Sequence, residues 1–372
     1  MPDILELISD ADRLDFSQNI SVARPAYLGD RLFPDQKTES LKAEYLRLAN
    51  GAQIPTMATV HAFDTEAEIA TRPALEKTEV EKLFIKRKIN QSERVQLLNE
   101  NGVYADNAIV SYVFDDMRLM ADAVKVRTEV AKMEVIATGK MTIKENNLNM
   151  TVDYGVPSAN IGFKIDFGAD ADIIGQLQAI ADQAAASGHA LSEMVVGTKI
   201  LRKLASNKGI QTLVYGTVGA GTYVTTEKLR SLFTELFGFG QITTNDQRYK
   251  AQAANGTEKT YRFFPEDKVA FLSNGTANSF GVGLWGVTPE EKGYGPYTDK
   301  SAQQYITITQ WETPDPKTTW TKASGLFIPV VPDPYGLFIG AGRPSRRGVS
   351  RNLYALFAYS MTLSSPLPQG RE

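Results

Sequence analysis

Few residues in this chain are spaced for chemistry, and each such group also has a plain structural reading. Gly281-Val282-Gly283-Leu284-Trp285-Gly286 matches the G-x-G-x-x-G spacing that lets a backbone approach a pyrophosphate. Such a cradle needs a strand before it and a helix after it. Thr288-Pro289-Glu290-Glu291-Lys292-Gly293 follows instead, and Gly295-Pro296 blocks any long helix, so the run reads as a glycine-rich loop. Gly216, Gly219 and Gly221 lack the Gly-Lys-Ser/Thr of a phosphate loop. His61 and His189 stand far apart without a ligand pattern around either, and read as surface or hydrogen-bonded histidines. Asp115 and Asp116 fall on a helical stretch, where neighbours diverge by about 100° and cannot share one metal. Glu290-Glu291 reads as a solvated turn. Lys86-Arg87-Lys88 is balanced by Glu76, Glu79 and Glu81, which suits a solvated or partner-pairing strand better than a phosphate groove. These readings leave no catalytic constellation, no metal set and no cofactor.

Composition points the same way. The 372 residues contain no cysteine and two histidines, which excludes disulfides, thiolate zinc sites and cysteine nucleophiles. Lys+Arg of 40 against Asp+Glu of 43 leaves a formal charge of −3, whereas a dedicated nucleic-acid binder relies on a basic excess. Hydrophobic residues at 42 % and charged ones at 22 % suit a folded chain with room for two or three domains. Residues 1–16 carry Asp3, Glu6, Asp10, Asp12 and Asp15 against Arg13, which is not the basic start of a signal peptide. No stretch nears the ~20 apolar residues of a membrane-spanning helix. The expectation is a cytoplasm-like compartment and no membrane partner.

The elements that would position these residues form an α+β pattern. Residues 1–40 read as an extended arm, punctuated by Arg24-Pro25, Gly29-Asp30 and Phe33-Pro34, with one short helix around Ile4–Ile8. Residues 41–92 read as two strands framing a long loop or ribbon, the second carrying mixed charges around Val80, Leu83, Phe84, Ile85 and Ile89. Asp106 to Ala137 repeats Val110, Val113, Met117, Met120, Val124, Ala131 and Val135 at helical spacing before Gly139. That helix would be on the order of 45 Å long. A hairpin over 141–154 follows, then helices at Asp172–Ser187, from a Thr198 cap, and at Thr226–Phe237. A strand at Met194–Gly197 lies between the first two. Ile242–Lys250 and Lys259–Phe264 flank Asn255-Gly256, a strong hairpin signal. Lys268–Leu272 and Gln304–Trp311 read as strands. Leu326–Ile339, broken by Pro329, Pro332 and Pro334, reads as an edge strand or strap. Strands at both ends of a helical middle imply one domain built from distant segments, with a second inserted near 156–300.

This order resembles the tailed-phage major capsid proteins of HK97-like fold, and most closely the lambda-type major capsid protein E family. The resemblance rests on Thr138-Gly139-Lys140, on Leu148 through Gly155, on Phe264-Pro265-Glu266-Asp267-Lys268-Val269, and on Gly325 through Val330. It implies an arm at 1–40, an E-loop at 41–92 lying over a neighbour, and a P-domain at 93–155. The P-domain would hold the spine helix 106–137 and the hairpin 141–154. It further implies an A-domain near 156–300 around capsomer axes, and returning P-domain strands at 301–342. The implied function is a non-enzymatic subunit that assembles with itself, as hexamers and pentamers, into an icosahedral head around double-stranded DNA in a virion. Partners implied with it are a scaffold or protease, a portal and a decoration protein; DNA would be a non-specific neighbour only. Glu76, Glu79, Glu81, Lys82, Lys86, Arg87 and Lys88 become candidate contacts between copies, because complementary charges fix register. Arg343, Arg346, Arg347 and Arg351, with the apolar run Leu353–Tyr359, form a 343–372 tail beyond the usual family end and a second candidate contact. An encapsulin-like compartment shell and a soluble enzyme with a carboxylate site stay open as alternatives.

Overall fold

The computed structural model describes residues 26–48, 75–91, 106–145, 148–217, 221–252, 257–274, 278–293, 299–303, 305–314 and 317–342. The short helix expected around Ile4–Ile8, His61, the Asn255-Gly256 turn and the 343–372 tail lie outside these residues. The described chain opens with helix α1 (Leu28–Leu32) and strand β1 (Asp35–Lys37). This end of the arm is folded rather than extended. Leu32 and Phe33 are fully buried, and β1 pairs in parallel with Gly283–Trp285. Strands β2 (Lys42–Leu48) and β3 (Leu75–Glu81) form an antiparallel ribbon, and β4 (Leu83–Gln91) leaves it for another sheet. Helix α2 (Asp106–Thr138) is 33 residues, roughly 50 Å at the α-helical rise. Gly139 ends it in the left-handed region, φ 72°, and starts the hairpin β5 (Lys140–Glu145) and β6 (Leu148–Asp153). There Met141 faces Val152 and Ile143 faces Met150, as their alternation predicts.

The middle of the chain runs through β7 (Ile161–Ile165), α3 (Ile173–Ala186), β8 (Glu193–Val196), α4 (Thr198–Ala205), α5 (Lys208–Tyr215), α6 (Thr226–Phe237) and β9 (Gln241–Thr244). Asp172 caps α3 by accepting the Gly175 amide at 2.9 Å. Gly197, not Thr198, occupies the cap position of α4; the Thr198 amide and hydroxyl both go to Asp246. Helix α5 has no counterpart in the sequence pattern, because two turns burying only Ile210 and Gln211 leave no readable periodicity. The Ile242–Lys250 stretch is two strands, not one. It breaks at Asn245, whose side chain turns inward to the Met133 sulfur, before β10 (Arg248–Gln252) pairs with β11 (Glu258–Arg262). The remaining strands are β12 (Lys268–Leu272), β13 (Val282–Gly286), β14 (Asp299–Gln303), β15 (Ile306–Pro314), β16 (Lys317–Val330) and β17 (Leu337–Gly342).

Two sheets organise these strands around α2. The first is centred on β16. Residues 319–324 of β16 pair with both β4 and β15, and 326–327 pair with both β4 and β13. A strand has two edges, so β4 holds one of them while β15 and β13 share the other end to end. This corrects the edge-strand reading of Leu326–Ile339. Its first part is the middle of a six-stranded sheet, and Pro329 is tolerated because β4 ends opposite Phe327. The Pro329 carbonyl accepts the Tyr154 hydroxyl at 2.7 Å. Pro332 and Pro334 lie in the crossing to β17, which is also interior, between β7 and β12.

The second sheet, β7-β17-β12-β8-β9, separates two cores. Val195, Ala270, Leu272, Leu337 and Ile339 point from it to α2 and the first sheet. Met194, Val196, Val269, Phe271 and Phe338, the alternate residues, point to α3–α6. Strand period two thus gives one sheet two apolar faces. From Thr128 onward α2 is enclosed, with Glu129 and Lys132 each 1 % exposed. Lys132 Nζ lies 3.1 Å from both Asp30 and Asp35, and Glu129 accepts the Gly29 amide at 3.1 Å, which pins α1 and β1 to the helix.

The glycine motif reads differently in this setting. It is strand β13, wedged between β1 and β16, and not a loop. A Cβ on Gly281 would overlap the Val330 carbonyl oxygen and lie 2.6 Å from the Phe33 ring; one on Gly283 would lie 2.6 Å from Asp35 Oδ1. The glycines are there for close backbone approach. Gly281→Ala should therefore lower stability by about 2–3 kcal/mol. An unchanged urea midpoint in that variant would contradict this packing.

Candidate assembly surfaces

Strand β4 alternates between core and outside. Leu83, Ile85 and Ile89 pack toward α2, while Phe84, Lys86 and Lys88 face outward. Phe84 is 40 % exposed, and the Lys86 ammonium sits 5.2 Å from its ring centroid. Lys88 Nζ lies 4.1 Å over Trp320, which stacks on its cross-strand partner Trp311 at 6.2 Å and 13°. Neither Lys86 nor Lys88 has a carboxylate partner among the described residues. Arg87 points to the other face and donates to Gln252 Oε1 at 3.3 Å.

The acidic candidates lie on the ribbon. Glu79 is exposed and reaches Lys42 at 3.4 Å; Glu81 is exposed and opposite Lys42 in register; Glu76 is opposite Arg47. Lys82 does not belong with them. It is 3 % exposed, and its ammonium donates to the Thr38 hydroxyl and to the Ser40 carbonyl at 2.5 Å. Burial pushes its pKa down, so Lys82 is an internal tie between ribbon and arm rather than an outward contact. Arg343, Arg346, Arg347 and Arg351 lie outside the described residues.

Beneath the tryptophans is a buried polar cluster that sequence reasoning placed in solvent. Glu290 is 5 % exposed, with Lys322 at 2.6 Å and the Ser324 hydroxyl at 3.2 Å. Burial alone would raise its carboxyl, but the Lys322 hydrogen bond and charge, a backbone hydrogen bond and the Ser324 hydroxyl together offset that and hold it below the usual range. Glu291 pairs with Lys37 at 2.5 Å. The missed signal is in the register: Lys322 falls opposite Thr309 on a strand pair enclosed on both faces, so its charge needs an internal partner. Asp116 is buried and Asp115 meets Arg118 at 3.4 Å, so the two diverge as their helical spacing requires.

His189 is the hydrogen-bonded histidine its surroundings suggest. Its Nε2 lies 3.0 Å from the Asp333 carboxylate and its Nδ1 3.0 Å from the Ser187 carbonyl. Glu134 of α2 accepts the Thr142 amide at 3.1 Å. Its carboxyl is pushed up to about 7 by burial, against the opposing pull of that amide and Arg127. Among the described residues no group of three His, Asp or Glu side chains could hold a metal ion, and no helix is long and apolar enough to cross a membrane.

A long helix with its hairpin, a ribbon, and a mixed unit seated on a shared sheet make up the HK97-like capsid fold. A structure assigned as a prophage capsid protein of Escherichia coli CFT073 aligns over 90 % of this chain and 99 % of its own, with TM-score 0.54 and 16 % identity. A phage-related protein from Bordetella bronchiseptica RB50 aligns over 88 % and 94 %, with TM-score 0.51 and 10 % identity. The chain belongs to the phage major capsid protein E family, whose model matches residues 10–341. It is a shell-forming major capsid protein, a structural component of the virion in a family that is not an enzyme class. Among curated proteins, none matches its sequence significantly.

Both raised groups make stability fall as pH rises. The Glu134 contribution is full below its ordinary 4.5 and is lost through about 7. The His189 contribution is full below its ordinary 6.5 and is lost above that, because the Asp333 hydrogen bond raises its pKa despite burial. Glu134→Gln should stabilise the unassembled protein at pH 8 by about 1–2 kcal/mol and change little at pH 4.5. Urea midpoints at the two pH values check this; equal effects at both would refute it.

Proposed function

We propose that the subunit builds an icosahedral head from hexamers and pentamers around packaged double-stranded DNA, assembling in the host cytoplasm without enzyme activity of its own. In this reading 41–92 is the E-loop that lies on a neighbour, and 93–155 with 301–342 is the P-domain. Residues 156–300 form the A-domain around capsomer axes, while 1–40 and 343–372 are an arm and a tail. A scaffold or protease, a portal and a decoration protein complete the partner set.

The observation that supports the contact assignment is the separation of charge between two consecutive strands. Glu79 and Glu81 are exposed on β3, while Lys86 and Lys88 stand outward on β4 with no carboxylate partner among the described residues. Within the described residues of one copy those lysines are uncompensated, whereas repeated copies can satisfy them, and such pairs set register and respond to salt.

Two experiments test the reading. Removing about residues 52–72 should keep the monomer's unfolding midpoint and abolish shells in negative-stain micrographs; intact shells would refute the E-loop role. Lys86→Glu with Lys88→Glu should also suppress shells at unchanged monomer stability. Glu79→Lys with Glu81→Lys in the same chain should restore them. Normal assembly of the lysine variant would remove these residues from the interface.

A further inference from the structure

Between α4 and the β10–β11 hairpin lies a polar cleft that the shell reading leaves unused. It has a volume of about 560 Å³ and is lined by Lys199, Arg202 and Lys203 of α4 and by Asp246, Arg262 and Glu266 at the base of the β10–β11 hairpin. Arg262 engages both carboxylates, at 2.5 Å from Asp246 and 3.3 Å from Glu266, and Lys199 shares Glu266 at 3.4 Å. Arg202 and Lys203 have no carboxylate partner among the described residues. Four cations against two carboxylates leave the cleft with uncompensated positive charge.

The position of the arm indicates what covers it. Gln247 Nε2 donates to the Ala26 carbonyl at 3.4 Å, and the Tyr27 ring lies 5.2 Å from Phe263. Gln247 and Phe263 are the immediate chain neighbours of Asp246 and Arg262, so the described arm ends at the base of the same hairpin whose other face lines the cleft. The segment upstream carries Asp3, Glu6, Asp10, Asp12 and Asp15 against Arg13 alone. The stretch between Asp15 and Ala26 can extend more than ~30 Å, ample to bring that segment round to α4. We propose that the cleft is the docking site for the acidic segment 3–15 of the same chain, held by Lys199, Arg202 and Lys203. The contact goes beyond the shell reading, since it involves none of the β3 or β4 charges and exists within one subunit.

Zero-length carbodiimide crosslinking of the whole protein, read by mass spectrometry, tests this. At low salt Lys199 or Lys203 should join to Asp10, Asp12 or Asp15, and the link should vanish near about 1 M salt. Mixing isotope-labelled and unlabelled protein should give no mixed pairs; mixed pairs would place the segment of a second copy in the cleft and overturn the proposal. In parallel, Arg202→Glu with Lys203→Glu should raise trypsin cleavage after Arg13 roughly fivefold, and Asp10→Lys with Asp12→Lys should restore protection. The wild-type crosslinks stand even if the cleft variant does not fold. Absence of those links at low salt would overturn the assignment. So would a thymidine oligonucleotide that shields Lys199 and Lys203 from modification while no arm link forms, because the cleft would then be a nucleic-acid site.

Discussion

The sheet between the two cores is the constraint on which the rest of the molecule depends. Its central strands have no polar face to spare: odd and even residues of β8, β12 and β17 each bury apolar side chains on opposite sides. A shift of one residue in any of these strands would exchange the residues facing α2 with those facing α3–α6. Ala270 would then meet the space filled by Phe271. The two cores are therefore specified together, and α3–α6 can keep their orientation to the spine helix only while this register holds.

Around that sheet the fold uses buried charge as a set of positional ties. Lys132 draws Asp30 and Asp35 to the spine, Glu193 receives Arg31 together with Asn274 and Thr243, and Lys322 meets Glu290. Such pairs add little net stability, because desolvation offsets most of the attraction, but a partner left alone is strongly unfavourable. They penalise misplacement. Glu129, Lys132 and Glu193, which hold α1 and β1 in place, lie on α2 or β8, elements that already belong to the shared wall and its helix. The arm's docked end is thus referenced to the same frame as both cores.

Much of this was legible in the chain. The spine helix shows in the recurrence of Val113, Met117, Met120 and Val124, and the hairpin in the alternation of Met141, Ile143, Met150 and Val152, because both are local patterns. What was hidden depends on distant partners. Gly281 to Gly286 reads as a loop until β1 and β16 close on it, and Leu326–Ile339 reads as an edge until β4 is seen to lie along β16. Glu290 looks solvated until Lys322 is opposite. Among the contact candidates, Lys86 and Lys88 follow the outward phase of β4, whereas Lys82 falls at the junction of two strands where period two breaks. The Trp311–Trp320 pair is a hairpin register around residues 315–316, and the Pro314-Asp315-Pro316 run was its available signal.

The placement of β16 has a consequence in time. Strand β4 pairs with it across most of the chain, and β1 waits for β13, so the spine helix lacks the first sheet until residues beyond 317 exist. A ribosome makes the chain from its N-terminus, and pairings this distant form slowly even afterwards. A nascent subunit therefore lacks the surface that presents Lys86 and Lys88 for nearly its whole synthesis. Only a chain made past residue 327 can display it.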